Sequence, residues 1–388
     1  MIRHDSPRFP RGFRAASRHC GLKKVDPDLA LFYSEVPAEA AAIFTRNHFP
    51  GAPVIVGREL LKGGRLQAVV VNAKVSNVAT GEGGIEDART MGRLAAAELG
   101  VPAELVLMSS TGVIGRRLPM EKIAAGIHGM SKELTDDPWV GARGIMTTDT
   151  EPKVLSIGFG DATLTAVGKG AGMISPNMAT MLVFIFTDAE LPAATLRTHL
   201  LKAADRSFHC LSVDTDTSTS DTVAILANGL AGPVDEGEFG EALSALCLGM
   251  AEWVARDGEG ATKLLRVFVE GAASDGEGMR IAKSVVDSPL IKTMAFGADP
   301  NVGRILMAIG KCVDCRIDPY TTSADIQGIP VIRGGVRAEF EEADVRALLQ
   351  TGPIEIWISL GVGEGRGMGL GCDLTEGYVE ENAAYASS

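Results

Sequence analysis

The chain has 388 residues, 46% of them hydrophobic and 22% charged, with a net charge of −12 and an isoelectric point of about 5.1. That length and balance suit one large or two ordinary soluble domains with a sizeable core. The acidic surplus argues against a nucleic-acid binder, which needs a basic stripe to displace phosphate counterions, yet it leaves room for a small anionic substrate, because one lysine or arginine can hold a carboxylate.

Taken in chain order, Val54–Val56 and Gln67–Asn72 are short and valine-rich and predict strands. Apolar residues return at helical spacing over Ile85–Leu99, and Gly100 stops that helix. Leu105–Met108 predicts a strand, and Met120–Ile127 a short helix that Pro119 introduces. Val154–Gly158 and Thr163–Val167, joined across Gly160-Asp161, predict a hairpin. Met181–Thr187 is an almost wholly apolar strand, followed by a helix over Ala193–Ala204. Further on, Val223–Ala227, Leu264–Glu270 and Ile354–Leu360 predict strands. Glu238–Arg256, Arg280–Val286 and Val302–Lys311 predict helices. Linkers are short and no repeat of solenoid period stands out. The class is mixed α/β, with layered sheets covered by helices; Asp188 offers a domain boundary.

Six cysteines, Cys20, Cys210, Cys247, Cys312, Cys315 and Cys372, are too dispersed for a disulfide scaffold and point to a reducing compartment. Cys312 and Cys315 form a lone C-x-x-C without two further ligands nearby, so no metal is expected. No apolar run is long enough for a membrane span. The basic first 24 residues lack the apolar core of a secretory signal, so a cytoplasmic protein is expected.

The stretch "KGAGMISPNMATMLVFIFTDA", Lys169 to Ala189, carries the chemistry. Read locally, Thr180 is the first residue of a core strand. Three features add a second reading. Lys169-Gly170-Ala171-Gly172 supplies a loop free to take unusual backbone angles, and Pro176 restricts Ser175 to extended ones. Ala179 is small, leaving the Ala179–Thr180 carbonyl open to the neighbouring hydroxyl. The start of a buried strand lies at a sheet end, where clefts form. A cut before Thr180 gives this weak nucleophile its own α-amine as base, with a reference pKa of roughly 7.7–8.0. Acyl transfer also needs donors for the oxyanion. "MSSTGVIG", Met108 to Gly115, offers Thr111 and Gly112 on a turn after a strand, although an ordinary strand-to-loop turn has the same pattern. "GADP", Gly297 to Pro300, lacks the G-K-[ST] ending of a phosphate loop.

These segments together resemble the ornithine acetyltransferase family of arginine biosynthesis, also called glutamate N-acetyltransferases. The resemblance starts at Gly12-Phe13 and "FTRN", Phe44 to Asn47, leaving little length ahead of it for a transit peptide. It continues through "STGVIGRRLPM", "IMTTDT", "KGAGMISPNMATML", "DTSTSDT", "DGEGATKL", "SPLIKTMAFGADPN" and "DLTEGYVEENAAY". It implies an α/β sandwich with an N-terminal-nucleophile style of site. It also implies self-cleavage between Ala179 and Thr180 into an α chain, 1–179, and a β chain, 180–388, assembled as α2β2. The implied reaction moves acetyl from N²-acetylornithine to glutamate by a ping-pong route through acetyl-Thr180. No cofactor is implied, although some members also take acetyl-CoA as co-substrate.

By the same resemblance Thr180 is the nucleophile and a substrate contact, and Thr111 and Gly112 are the oxyanion pair. Thr147, with Thr148 as its fallback, Lys169, Glu259, Asn382 and Ser387 are further substrate contacts. Lys169 suits an α-carboxylate, and Glu259 the ornithine ammonium group or proton relay. Taken alone, Lys169 reads as a solvated loop lysine and Glu259 as a helix-end acid. A tail as polar as the one carrying Asn382 and Ser387 ordinarily frays.

The chain departs from the family pattern in three places. "NAKVSN", Asn72 to Asn77, stands where many members have N-S-G-x-A-N. Val302 replaces the tryptophan of D-P-N-W-G-R, and Asp214-Thr215 replaces a D-G start. These departures bear on the range of acyl donors and leave room for a single-reaction enzyme of a specialised pathway. Two other classes also compete: a self-processing amidohydrolase, with water rather than glutamate attacking the acyl-threonine, and an uncleaved binding protein.

Overall fold

The structure, a computed structural model, describes residues 2–4, 6–175 and 181–383. Ala179, Thr180 and Ser387 therefore lie outside the described residues. The chain divides into two interleaved units: residues 1–170, 177–209 and 217–250 form the first, and residues 171–176, 210–216 and 251–388 the second.

The first unit carries β1 (Ile2–Arg3), β2 (Phe13–Arg18), β3 (Leu29–Phe44), α1 (Ala52–Leu60), β4 (Arg65–Asn72), α2 (Gly81–Leu99), β5 (Val106–Ser110), α3 (Met120–Ile127), α4 (Pro138–Ile145), β6 (Lys153–Phe159), β7 (Ala162–Lys169), β8 (Leu182–Glu190), α5 (Ala193–Asp205), β9 (Thr222–Pro233) and most of α6 (Glu236–Arg256). Its nine strands form one mixed sheet in the order β1-β6-β7-β8-β9-β3-β4-β5, with β2 paired to β3 outside that order. The β4–β5 and β8–β9 pairs are parallel and the rest antiparallel.

Strand β3 runs for 16 residues because it changes partners on the way. Along one edge Leu29–Ser34 pairs with β2 and Glu39–Phe44 with β9, while β4 pairs along the other edge with Leu29–Tyr33 and with Ala38 and Glu39. The register shifts between Tyr33 and Ala38; Pro37, in that stretch, has no N–H to give a ladder.

Successive residues of these strands feed two cores, as a two-residue side-chain period requires. Ala30, Phe32, Val69, Val71 and Leu107 enter one, with Phe184 and Phe186. Leu29, Leu31, Ala68, Val70, Val106 and Met108 enter the other, with Ala88, Met91 and Ala95 of α2 and Ile123 and Ile127 of α3. Burial on both faces explains why these strands read as unbroken apolar runs rather than alternating ones.

The second unit carries β10 (Leu264–Ala272), α7 (Asp275–Val286), α8 (Pro289–Gly297), α9 (Gly303–Gly310), β11 (Ser323–Ile326), β12 (Ile329–Arg333), β13 (Val336–Arg337), α10 (Glu342–Gln350), β14 (Ile354–Ser359), β15 (Gly365–Cys372) and α11 (Glu376–Ala383). Its sheet runs β13-β12-β11-β14-β10-β15, with β10 and β14 parallel. Val267, Ile356 and Ile358 share its core with Ile281 and Val285 of α7 and Ile291 and Met294 of α8. Val302, at the family's tryptophan position, is buried in that core.

The mixed α/β class and most of the expected elements hold. Val54–Val56 is the clear correction: it lies inside helix α1. Pro53 occupies the first helical turn, where its missing N–H costs nothing, and Val54 and Val56 are buried along the helix. The boundary offered at Asp188 also fails, because Asp188 sits within β8 beside β9. The tail does not fray over its first part: α11 carries Asn382.

Candidate active site

In the first unit, Lys169 ends β7 and is 2% exposed, far from the solvated loop lysine that its sequence context suggests. Its Nζ donates to the Thr147 hydroxyl at 2.6 Å and lies 3.8 Å from Asp149 Oδ2. Asp149 also accepts from Lys153 Nζ at 2.8 Å, from the Gly170 N–H at 2.6 Å and from the Thr147 N–H at 3.0 Å. Burial opposes ionisation of Asp149, but the charges of Lys169 and Lys153, with these hydrogen bonds, hold its carboxyl well below the usual carboxylate range. Two lysines thus share one buried carboxylate at the end of β7.

Thr111 and Gly112 follow β5 directly. The Thr111 N–H is spent on the Asn72 carbonyl at 3.0 Å, so its hydroxyl is the group left for another partner. Among the described residues no carbonyl takes the Gly112 N–H. Gly112 has φ of +128°, and a Cβ there would fall 2.1 Å from the Lys74 carbonyl carbon. Only glycine fits both the angle and the approach. The Asn72–Asn77 segment is therefore the wall behind this turn. Asn72 accepts from the Ser110 hydroxyl at 2.6 Å and donates to the Val75 carbonyl at 2.8 Å.

The strand that begins the downstream half is anchored next to Thr180. The Met181 N–H donates to Asp221 Oδ1 at 3.0 Å. Asp221 is 1% exposed, and its Oδ2 has no hydrogen-bond partner among the described residues. Burial pushes its carboxyl well above the usual range; the Met181 N–H, the nearby hydroxyls of Thr45 and Ser218, and the Lys169 charge pull the other way. Two motif segments converge here: Thr45 donates from its hydroxyl to the Ser218 carbonyl at 2.5 Å, and Asn47 from its amide to the Thr217 carbonyl at 2.8 Å.

In the second unit, Glu259 donates its N–H to the Ala171 carbonyl at 3.0 Å. Its carboxylate covers Gly172 so closely that a Cβ on Gly172 would lie 2.2 Å away. Asn382 donates to Glu259 Oε2 at 2.7 Å and to the Tyr378 carbonyl at 3.0 Å. Asp214 holds the same loop by accepting from Met173 at 2.6 Å and Ile174 at 2.8 Å. Burial raises the Asp214 carboxyl despite those N–H bonds. Tyr378 places its hydroxyl 3.5 Å from Asp214.

Of the expected site residues, the first unit brings together Lys169 and Thr147 and sets Thr111 with Gly112 on one turn. The second brings together Glu259 and Asn382. Ala179, Thr180 and Ser387 are outside the described residues. Sequence reading missed Asp149, Lys153, Asp214 and Asp221. Three of these lie in or beside segments that carry the resemblance, "IMTTDT" and "DTSTSDT", but an isolated aspartate among threonines reads as a turn residue. Among the described residues no group of three or more histidine, cysteine or carboxylate side chains can hold a metal ion, no helix is long and apolar enough to cross a membrane, and the six cysteines are free.

The family model of the ArgJ family matches residues 14–387. "Arginine biosynthesis bifunctional protein ArgJ 2" of Nostoc sp. is 45% identical over 97% of this chain and 98% of its own length. "Glutamate N-acetyltransferase Oat2" of Streptomyces clavuligerus is 42% identical over 99% of both chains. In a crystal structure of arginine biosynthesis bifunctional protein ArgJ from Bacillus halodurans, the solved chain is 40% identical, with a TM-score of 0.52. It is matched over 100% of its length and covers 53% of this one.

Proposed function

The chain belongs to the ArgJ family, and from that premise we propose a mechanism in which Thr180 is both the product of self-cleavage and the carrier of the acetyl group. The enzyme is an acyltransferase of arginine biosynthesis, a glutamate N-acetyltransferase. The precursor cuts itself between Ala179 and Thr180 into chains 1–179 and 180–388. The freed α-amine removes the proton from the Thr180 hydroxyl, which attacks the acetyl carbonyl of N²-acetylornithine. Thr111, through its hydroxyl, and Gly112, through its N–H, take the negative charge that develops on the carbonyl oxygen. Ornithine leaves, and the amine of glutamate then attacks acetyl-Thr180.

Lys169 pairs with the substrate α-carboxylate, Thr147 sits beside it, and Glu259, steadied by Asn382, faces the ornithine ammonium group. Ser387 completes the contacts from the tail. No cofactor takes part; acetyl-CoA enters, in a second activity, as an alternative acetyl donor. The two chains work as an α2β2 assembly in the cytoplasm.

The observation that carries this reading is the buried Lys169–Thr147–Asp149 group. A lysine is held inside the protein beside a carboxylate, at the end of β7. The Bacillus halodurans chain supports the cut, since its 53% coverage is about the share that 180–388 makes of this chain.

Intact mass and N-terminal sequencing test the cut, with acetyl transfer assayed from acetylornithine and from acetyl-CoA. Two fragments, the second beginning at Thr180, are expected, and Thr180→Ala is expected to stay full length and inactive. Activity in Thr180→Ala, or acetyl release that ignores glutamate, overturns the mechanism.

A further inference from the structure

Helix α11 of the second unit has no buried residue, so apolar packing contributes little to holding it. Polar and close backbone contacts hold it instead. The Thr375 hydroxyl, just before the helix, donates to the Gly260 carbonyl at 2.6 Å and accepts from the Gly377 N–H at 3.1 Å. Gly260 has φ of +67°, and a Cβ there would lie 2.4 Å from the Tyr378 nitrogen. The first turn of α11 therefore rests on the peptide next to Glu259. Tyr378 and Asn382, four residues apart, share one helix face. From that face the Tyr378 hydroxyl reaches Asp214 Oδ2 at 3.5 Å, and the Asn382 amide donates to Glu259 Oε2 at 2.7 Å.

Asp214 and Glu259 tie α11 to one and the same loop. Asp214 accepts from the Met173 and Ile174 N–H groups at 2.6 and 2.8 Å. Glu259 donates its N–H to the Ala171 carbonyl at 3.0 Å and lays its carboxylate over Gly172. Two carboxylates thus bridge the helix and the loop side by side. Burial and the charges of Asp214, Glu259 and Asp216 push the Tyr378 hydroxyl above its usual range, so it stays a donor.

We propose that Thr375 and Tyr378 are positioning residues for Glu259. By docking α11 they place Asn382, and Asn382 fixes the direction in which the Glu259 carboxylate faces. The inference rests on the reading above in which Glu259 faces the ornithine ammonium group. Neither hydroxyl touches substrate; together they set how well acetylornithine, rather than glutamate, is held.

In a ping-pong reaction kcat/KM for the donor and for the acceptor are measured separately, each reporting its own half-reaction. Tyr378→Phe removes only the hydroxyl. It is expected to lower kcat/KM for acetylornithine about 3- to 10-fold, chiefly through KM, and to leave kcat/KM for glutamate within about twofold. Thr375→Val should do the same, and Thr375→Ser, which restores the hydroxyl, should recover the loss. In a Glu259→Gln background neither substitution should cost more, because each acts through that carboxylate. An unchanged kcat/KM for acetylornithine in Tyr378→Phe and Thr375→Val overturns the proposal. Equal losses for both substrates overturn it too, since a general loosening of the unit lowers both, and so does full additivity with Glu259→Gln. Should one of the two variants misfold, as its denaturant midpoint would report, the other carries the test. If Glu259→Gln itself leaves kcat/KM for acetylornithine unchanged, the Glu259 reading fails instead.

Discussion

Lys169 Nζ lies 2.6 Å from the Thr147 hydroxyl, and both residues hold the same carboxylate, that of Asp149. Two residues expected to touch substrate are thus fixed to each other before any substrate arrives. A site already in position loses less rotamer freedom on binding. Asp149 is the hinge of that arrangement, because it bonds the backbone on either side, at Thr147 and at Gly170.

Lys169→Met separates binding from structure. Asp149 keeps Lys153 and two N–H donors, so the fold should survive. Losing one charge-assisted contact to a carboxylate removes ~1.5–3 kcal/mol, or roughly 10- to 150-fold in kcat/KM. Initial-rate kinetics with acetylornithine check it, and an unchanged kcat/KM removes Lys169 from the substrate site.

Asp149→Asn should act on stability first. It leaves Lys153 and Lys169 buried without their counter-charge, which costs about 3–5 kcal/mol. The pH dependence has a fixed sign. The folded-state pKa of Asp149 is depressed, so its stabilisation is complete above the unfolded value of about 3.9 and is lost as pH falls through the folded value. Denaturant midpoints from pH 7 downwards should therefore show a shallower acid loss in Asp149→Asn than in the natural chain. Parallel curves would show that folding leaves the Asp149 pKa unshifted.

Thr111→Ala and Gly112→Ala should damage the same step by different routes. The first removes a hydroxyl, with an expected loss of about 2.7–4 kcal/mol of barrier stabilisation, or 10²–10³ in rate. The second keeps every donor but drives a methyl group into the Lys74 carbonyl, displacing the turn. Both should slow transfer and cleavage together, if one set of donors serves both reactions. Intact mass sampled over time, alongside the transfer rate, checks the pairing.

Lys74 and Thr215 form a matched pair of family departures. Lys74 has φ of +83° and Thr215 has φ of +69°, and each stands where the family pattern has glycine. The backbone is left-handed at both positions without the residue best suited to it. A non-glycine residue there carries roughly 1–2 kcal/mol of strain. Lys74→Gly should leave stability unchanged or slightly raised. Lys74→Val, whose branched side chain fits that region poorly, should lower it by at least ~1 kcal/mol. Equilibrium unfolding of both variants checks the ordering.

The class and the family were readable because they lie in contiguous stretches. "KGAGMISPNMATML" carries much of the resemblance in one run of residues. Apolar runs such as Leu182–Phe186 announce their own burial. Misreading came where short-range pattern was ambiguous: Val54 and Val56 satisfy a strand's alternation, yet Pro53 starts a helix around them. Strand β3 was missed because its sequence, "LALFYSEVPAEAAAIF", mixes alanine, glutamate and proline, and only its successive partners make it a strand. Asp149, Asp214 and Asp221 were invisible for a different reason. Each acts through backbone N–H groups distant in sequence, and spacing along the chain carries no trace of such partners.

Gly112 rests on the peptide of Lys74 with no clearance for even a methyl group. Redesign of the Asn72–Asn77 segment to change which acyl donors are accepted would therefore move the floor under the Thr111–Gly112 turn, proposed above to polarise the carbonyl. On the proposed mechanism, selectivity and turnover are tied at this spot. A variant library there should yield trade-offs between the two, and independent improvement would require a compensating change on the β5 side of the contact.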